Sequence, residues 1–177
     1  SSAFFKDMEF GTAGLRGIVG AGSNRMNIYN VGRVTEALSE YVKNNGGSSI
    51  AVSYDSRIMS KEFAELVAQI SANNGVKVYL SNDLMPTPFL SFMVRFYGCD
   101  AGVMITASHN PKDYNGYKVY GSDGAQLLEE PSFEIMKLSE KYDPFEFDLM
   151  SLEDGLKAGL IKYTDGDILN AYIEEVK

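Results

Sequence analysis

The chain has 177 residues, 45% of them hydrophobic, with 16 Lys and Arg against 24 Asp and Glu and a formal net charge of −8. That is enough apolar material for one domain with a substantial core, and the acidic balance excludes a nucleic-acid backbone or an anionic membrane surface as main partner, since clustered cations hold those. A single cysteine, Cys99, makes no intramolecular disulfide, and no apolar run approaches the ~20 residues of a membrane span or follows signal-peptide layout, so a cytoplasmic location is the default expectation.

The opening stretch is glycine-rich, with Gly11, Gly14, Gly17, Gly20 and Gly22. It holds neither a strand-to-helix Gly-x-Gly-x-x-Gly nor a Gly-Lys-Ser/Thr, so dinucleotide and P-loop chemistry do not apply; the glycines are expected to permit tight turns and close backbone approach around Arg16. Asn30 is expected to cap a helix with Val31, Val34, Leu38, Tyr41 and Val42 on one stripe, ending at Asn45-Gly46-Gly47. A strand follows from Ile50 to Tyr54. Ser60 is expected to cap the next helix, with Phe63, Leu66, Val67 and Ile70 inward and Asn74-Gly75 as its stop, and Val76 to Leu80 alternates like a strand. Thr87-Pro88 opens a third helix with proline at its first position, Gly98 closes it, and Ala101 to Ile105 is a short, uninterrupted apolar strand of the kind covered on both faces.

This alternation predicts an α/β fold: three layers, a mainly parallel mixed sheet with helices on both faces, joined by βαβ crossovers. Further on the texture changes to a hairpin, Tyr117 to Tyr120 and Ala125 to Leu128 around Gly121-Ser122-Asp123-Gly124. Pro131 to Tyr142 reads as an amphipathic helix, Asp143 to Thr164 as irregular with short apolar pieces, and Ile168 to Val176 as a helix. The expected division is a domain over residues 1–164, with residues 165–177 beginning a helix that connects to a further domain. Cys99, just ahead of a buried strand, reads as an inert core thiol.

The chemistry is concentrated in Thr106-Ala107-Ser108-His109-Asn110-Pro111. The buried strand must turn at once, Asn110-Pro111 supplies the turn, and in open α/β sheets ligands bind beyond the carboxyl ends of the strands. Ser108 is therefore the candidate nucleophile. A serine hydroxyl needs a base, a metal or electrostatic help. His109 is the adjacent base, but neighbouring side chains on extended backbone point to opposite sides, and as the only histidine it leaves no other imidazole for a triad; both facts disfavour a serine hydrolase. Asp55-Ser56-Arg57, at the end of another strand, either faces this cleft or forms a structural Asp–Arg pair.

Thr106 to Pro111, followed by Tyr114-Asn115-Gly116-Tyr117-Lys118 and preceded by Phe10-Gly11-Thr12-Ala13-Gly14-Leu15-Arg16-Gly17, resembles the first domain of the α-D-phosphohexomutases, the phosphoglucomutase and phosphomannomutase family. The three matches occur in order over about the first 130 residues. The N-terminal wording through Asn24-Arg25-Met26-Asn27 is most similar to the phosphoglucomutase and phosphopentomutase branch. The resemblance implies that Ser108 carries a phosphoryl group, gives it to a hexose monophosphate, and takes the other phosphate back from the resulting bisphosphate. Lys118 and Arg16 match the family's active site, Lys118 suited to proton transfer and Arg16 to stabilising phosphate. With them His109 completes the set of candidate catalytic and substrate-binding residues.

The resemblance further implies Mg²⁺, with a phosphate oxygen on Ser108 as one ligand, and glucose 1,6-bisphosphate as activator. The family's three metal-binding aspartates belong to a second domain; Asp165-Gly166-Asp167 falls short of that cluster. The implied activity interconverts sugar 1-phosphates and 6-phosphates, glucose phosphates first, with sugar phosphates and the remaining domains of the same enzyme as partners. This piece alone is expected not to turn over. Alternatives are a phosphomannomutase, a phosphopentomutase, or a non-catalytic sugar-phosphate-binding module, which Ser108 and Lys118 argue against.

Overall fold

The structure is a computed structural model and describes residues 14–177, so Phe10 to Ala13 of the upstream motif lie outside the described residues. Six strands, β1 (Gly14–Ile18), β2 (Ser49–Tyr54), β3 (Lys77–Leu80), β4 (Ala101–Ile105), β5 (Tyr114–Gly121) and β6 (Ile161–Tyr163), form one sheet in the order β1-β5-β4-β2-β3-β6. The helices are α1 (Ile28–Asn44), α2 (Ser60–Asn73), α3 (Thr87–Tyr97), α4 (Glu129–Ser139), α5 (Leu152–Lys157) and α6 (Gly166–Glu175). β2, β3, β4 and β6 run parallel, the first three joined through α2 and α3. β5 runs antiparallel to both β4 and β1. Only residues 106–113 separate β4 from β5, too few for a crossover, so the chain must reverse.

Period-two alternation sends the strand side chains to two cores. Leu15, Val52, Val103 and Tyr117 pack beneath Leu38 of α1 and Phe63 and Val67 of α2. On the other face Ala51, Met104 and Tyr120 meet Phe89, Leu90 and Met93 of α3 and Ile168 of α6. The result is the three-layer mixed sheet the alternation predicts. α6 continues onto this second face, its Tyr172 ring 5.2 Å from Phe89 and 5.5 Å from Phe92.

Local departures have local causes. Asn27, not Asn30, caps α1: it is extended, with φ −156°, and its side chain accepts the Asn30 N–H, while the Asn30 amide donates to the carbonyls of Ser23 and Arg25. Ser60 is the first residue inside α2 rather than its cap. Its hydroxyl is taken by Asp55 Oδ1 at 2.8 Å, and left-handed Met59 occupies the cap position. α3 begins at Thr87, which puts Pro88 second, and Gly98 closes it at φ 64° as expected.

The glycine-rich opening is not only turns. Its residues 14–18 form β1, and a Cβ on Gly14 would lie 2.0 Å from the Tyr117 carbonyl oxygen, so glycine there permits strand pairing. The second arm of the expected hairpin is reduced to a single bridge, Tyr120 to Gln126, because the chain is already turning into α4. Residues 143–164 are not irregular throughout: they hold α5, capped by the Ser151 hydroxyl, and β6, which extends the sheet beside β3.

Candidate active site

β2 and β4 end side by side, Tyr54 opposite Ile105, and the Asp55 N–H bonds to the Ile105 carbonyl. At this carboxyl end the chain leaves β4, turns through residues 106–113 and returns as β5. Ser108 is exposed at the turn with φ 54°. Among the described residues only Met59 shares that left-handed conformation without being glycine. It costs on the order of 1 kcal/mol and persists only where its surroundings hold it. The backbone at Ser108 is thus turned, not extended, and the alternation rule that separated His109 from Ser108 does not apply there. His109 is exposed beside it.

The Ser108 hydroxyl is bonded instead to Lys118, whose Nζ lies 2.7 Å from Oγ. Lys118 arrives on β5, paired with Met104 of β4 and Gly14 of β1. Arg16 faces Gly116 across the β1–β5 ladder, and residues two apart share a face, so Arg16 and Lys118 project from the same side of the sheet as diagonal neighbours. Between them Gly116 projects no side chain. A Cβ there would lie 2.5 Å from the Thr106 carbonyl oxygen and 2.9 Å from that of Leu15, so the loop, β5 and β1 meet more closely than any other residue allows. Burial pushes the Lys118 pKa down and the Arg16 charge pushes it further, against an upward pull from Asp55.

Asp55 and Arg57 are both things the sequence left open: they pair, with Arg57 Nε 3.7 Å from Asp55 Oδ2, and they line an open cavity of about 750 Å³ with Ser108 and Asn110. Asp55 Oδ2 accepts the Thr106 hydroxyl at 2.5 Å, and Thr106 Oγ1 accepts the Ser108 N–H at 3.0 Å. The Arg57 guanidinium donates to the carbonyls of Ser108, Asn110, Pro111 and Tyr114. Asn115, fully buried, donates to the Ile58 carbonyl and the Ser60 hydroxyl, tying β5 to the start of α2. Thr106 and Asn115 stand inside the motif strings, yet no spacing rule marks them as partners of residues 51 to 57 positions away.

The donor set here does not make a magnesium site. Mg²⁺ needs hard oxygen ligands, whereas the charged groups around Ser108 are the cations Lys118, Arg16, Arg57 and Lys112 and two carboxylates, Asp113 and Asp55, the latter already engaged by Thr106, Ser60 and Arg57. Among the described residues no three His, Cys, Asp or Glu side chains cluster as a metal site, Asp165 and Asp167 included. Asp165 caps α6 instead. Cys99 is buried, and burial pushes its thiol up to about 12, as an inert core thiol requires.

A strand-end serine at a left-handed turn is thus bonded to a lysine that feels the charge of a nearby arginine, which concentrates positive charge beside its hydroxyl. Residues 7–146 match the family model for the alpha/beta/alpha domain I of phosphoglucomutase/phosphomannomutase. The chain belongs to this family. Within the phosphoglucomutase/phosphomannomutase relatives, it is 41% identical over 175 residues to a phosphoglucomutase of Staphylococcus haemolyticus, covering 98% of this chain and 32% of that protein. A Staphylococcus aureus phosphoglucomutase is 45% identical over 148 residues, covering 82% of this chain and 27% of that one. The chain therefore spans about a third of the length of these curated relatives. A Thermus thermophilus protein assigned as a phosphomannomutase superposes with a TM-score of 0.73 at 32% identity, covering 86% of this chain and 34% of that one. The family's domain I is thus the three-layer sheet described above, and no helix among the described residues is long and apolar enough to cross a membrane.

Proposed function

We propose that this domain carries the phosphoserine of a phosphohexomutase acting on glucose phosphates, with Ser108 as the phosphoryl carrier. The observation that supports this best is the 2.7 Å contact between Lys118 Nζ and Ser108 Oγ at a left-handed turn. In the forward leg the P–Oγ bond of phosphorylated Ser108 breaks and a P–O bond to a sugar hydroxyl forms. The departing Oγ takes a proton from the Lys118 ammonium. In the return leg Ser108 Oγ attacks the other phosphate of the sugar bisphosphate, the P–O bond to the sugar breaks, and Ser108 gives its proton back to Lys118, which ends as it began. The leaving sugar oxygen takes back the proton that a base accepted in the forward leg. A lysine held below its ordinary pKa suits both directions. The proton of the sugar hydroxyl passes to a base, for which exposed His109 is this chain's candidate.

Arg16 meets the negative charge that two phosphates bring to one site, a charge that would otherwise repel the substrate. Mg²⁺ is the family's metal, and a phosphate oxygen on Ser108 would be the one ligand this domain offers, the others coming from outside the described residues. Sugar phosphates are the substrate class, glucose 1,6-bisphosphate the activator, the remaining domains of the enzyme the partners, and the cytoplasm the compartment.

The test is the intact mass of a full-length version after incubation with glucose 1,6-bisphosphate. It rises by one phosphate, and Ser108→Ala abolishes the rise together with conversion of glucose 1-phosphate to glucose 6-phosphate in a coupled assay. Labelling that survives Ser108→Ala moves the carrier elsewhere. Label without conversion on any hexose phosphate favours the sugar-phosphate-binding module.

A further inference from the structure

We propose that Arg57 is the positioning residue of the nucleophile's turn: it acts on Ser108 through the backbone and binds no phosphate itself. The guanidinium has five N–H donors in one plane, and the four on Nη1 and Nη2 are bonded to backbone carbonyl oxygens. Nη1 serves Pro111 and Tyr114 at 2.9 and 3.1 Å, Nη2 serves Ser108 and Asn110, and Nε faces Asp55. The side chain is 15% exposed. The forked end that would grip a phosphate is fully engaged by carbonyls and Nε is ion-paired with Asp55, which separates Arg57 from Arg16, whose side chain is exposed.

The four carbonyls converge because the chain turns left-handed at Ser108 and returns within a few residues. Pointed together, they repel one another and lie partly out of water, where an unpaired carbonyl is costly. A planar, five-donor cation meets such a ring; a lysine ammonium, with three donors on a single atom, does not. Asp55 completes the device from the other side. It accepts the backbone N–H of Arg57 at 3.0 Å, forms an ion pair with Nε at 3.7 Å, and through the Thr106 hydroxyl fixes the Ser108 N–H. The backbone on both sides of the Ser108 Cα is therefore pinned, the N–H by Thr106 and the carbonyl by Arg57. The φ of 54° is the consequence, and it aims Oγ at Lys118.

The kinetic part of this inference rests on Ser108 as phosphoryl carrier; the structural part does not. Hydrogen exchange on the 177-residue chain tests the structural part: in Arg57→Lys, and in Arg57→Ala if it folds, amides of residues 106–114 exchange at least tenfold faster while those of β2 and β3 are unchanged. Full-length Arg57→Ala and Arg57→Lys lose on the order of 10²-fold in kcat, the scale of a misplaced reacting group, with KM within about threefold. Millimolar guanidinium chloride restores part of kcat in Arg57→Ala, and equal sodium chloride or urea does not. Exchange in 106–114 that matches wild type overturns the proposal, as does faster exchange spread evenly over the sheet. A rise in KM with kcat preserved also overturns it, because that is the mark of a substrate ligand. Failure of the phosphoserine reading itself shows separately, as labelling that survives Ser108→Ala.

Discussion

Lys118 and Ser108 stand ten residues apart on the two sides of one chain reversal, and their side chains meet at 2.7 Å. The lysine is on a strand, held in register by β1 and β4, and the serine is on a turn. A strand-held ammonium thus faces a hydroxyl whose aim depends on how the turn is held.

The Lys118 ammonium titrates below the 10.5 of a free lysine, because burial first and Arg16 second disfavour its charge. In ¹⁵Nζ NMR its midpoint lies under that value. Arg16→Met moves it part of the way back up, and Asp55→Asn moves it further down. Between the lowered folded value and 10.5 the unfolded chain holds more protons, so the contribution of this group to stability increases as pH rises through that window. Lys118 is half-buried and solvent screens its charge, so the titration reads the effect better than a melting curve. A midpoint that ignores Arg16→Met removes Arg16 from the site.

Gly116→Ala places a methyl group against the carbonyl oxygens of Thr106 and Leu15 at 2.5 and 2.9 Å. Backbone must move, and overpacking of this kind costs about 1–3 kcal/mol. Urea denaturation gives that loss, and the variant loses mutase activity in the full-length enzyme because β1, β5 and the turn are forced apart. Gly46→Ala, with open space around its Cβ and φ 76°, costs only the backbone strain and leaves activity alone.

Tyr117→Phe removes a hydroxyl that lies 3.1 Å from Thr35 Oγ1 at a fully buried position. Thr35 keeps its bond to the Val31 carbonyl, so no donor is orphaned. The loss is about 0.5–1.5 kcal/mol by urea denaturation, with no change in kcat. A larger loss makes the α1–β5 contact through this pair more than a single hydrogen bond.

Most of the fold was legible because its repeating units are long enough to show a period. Seventeen-residue α1 and fourteen-residue α2 write their inward stripes plainly, and Gly98 marks its helix end by chemistry alone. Six-residue α5 and three-residue β6 are too short to carry a period, and they fold where they do because β3 leaves an edge to pair. β1 was hidden by its glycines, which signal turns in isolation and are needed here for strand contact at Tyr117. Within the site, Ser108, Lys118 and Arg16 could be named from motif strings. The work of Asp55 and Thr106 could not, since a hydrogen bond between residues 51 apart follows from β2 and β4 ending together, a fact of sheet order.

The reversal between β4 and β5 also bears on how the site is assembled. Closing ten residues is among the cheapest contacts a chain makes, and a hairpin needs no distant partner to begin. Arg57, from the end of β2, and Arg16, paired across the ladder with Gly116, must both be delivered by contacts far along the sequence. The Ser108–Lys118 pair therefore belongs to a local unit closed within ten residues, whereas the guanidinium groups of Arg57 and Arg16 reach it only through long-range contacts. A nascent chain that has emerged only through β5 already contains every residue of this constellation, but not β6 or α6, so assembly of the pair does not wait for the rest of the sheet.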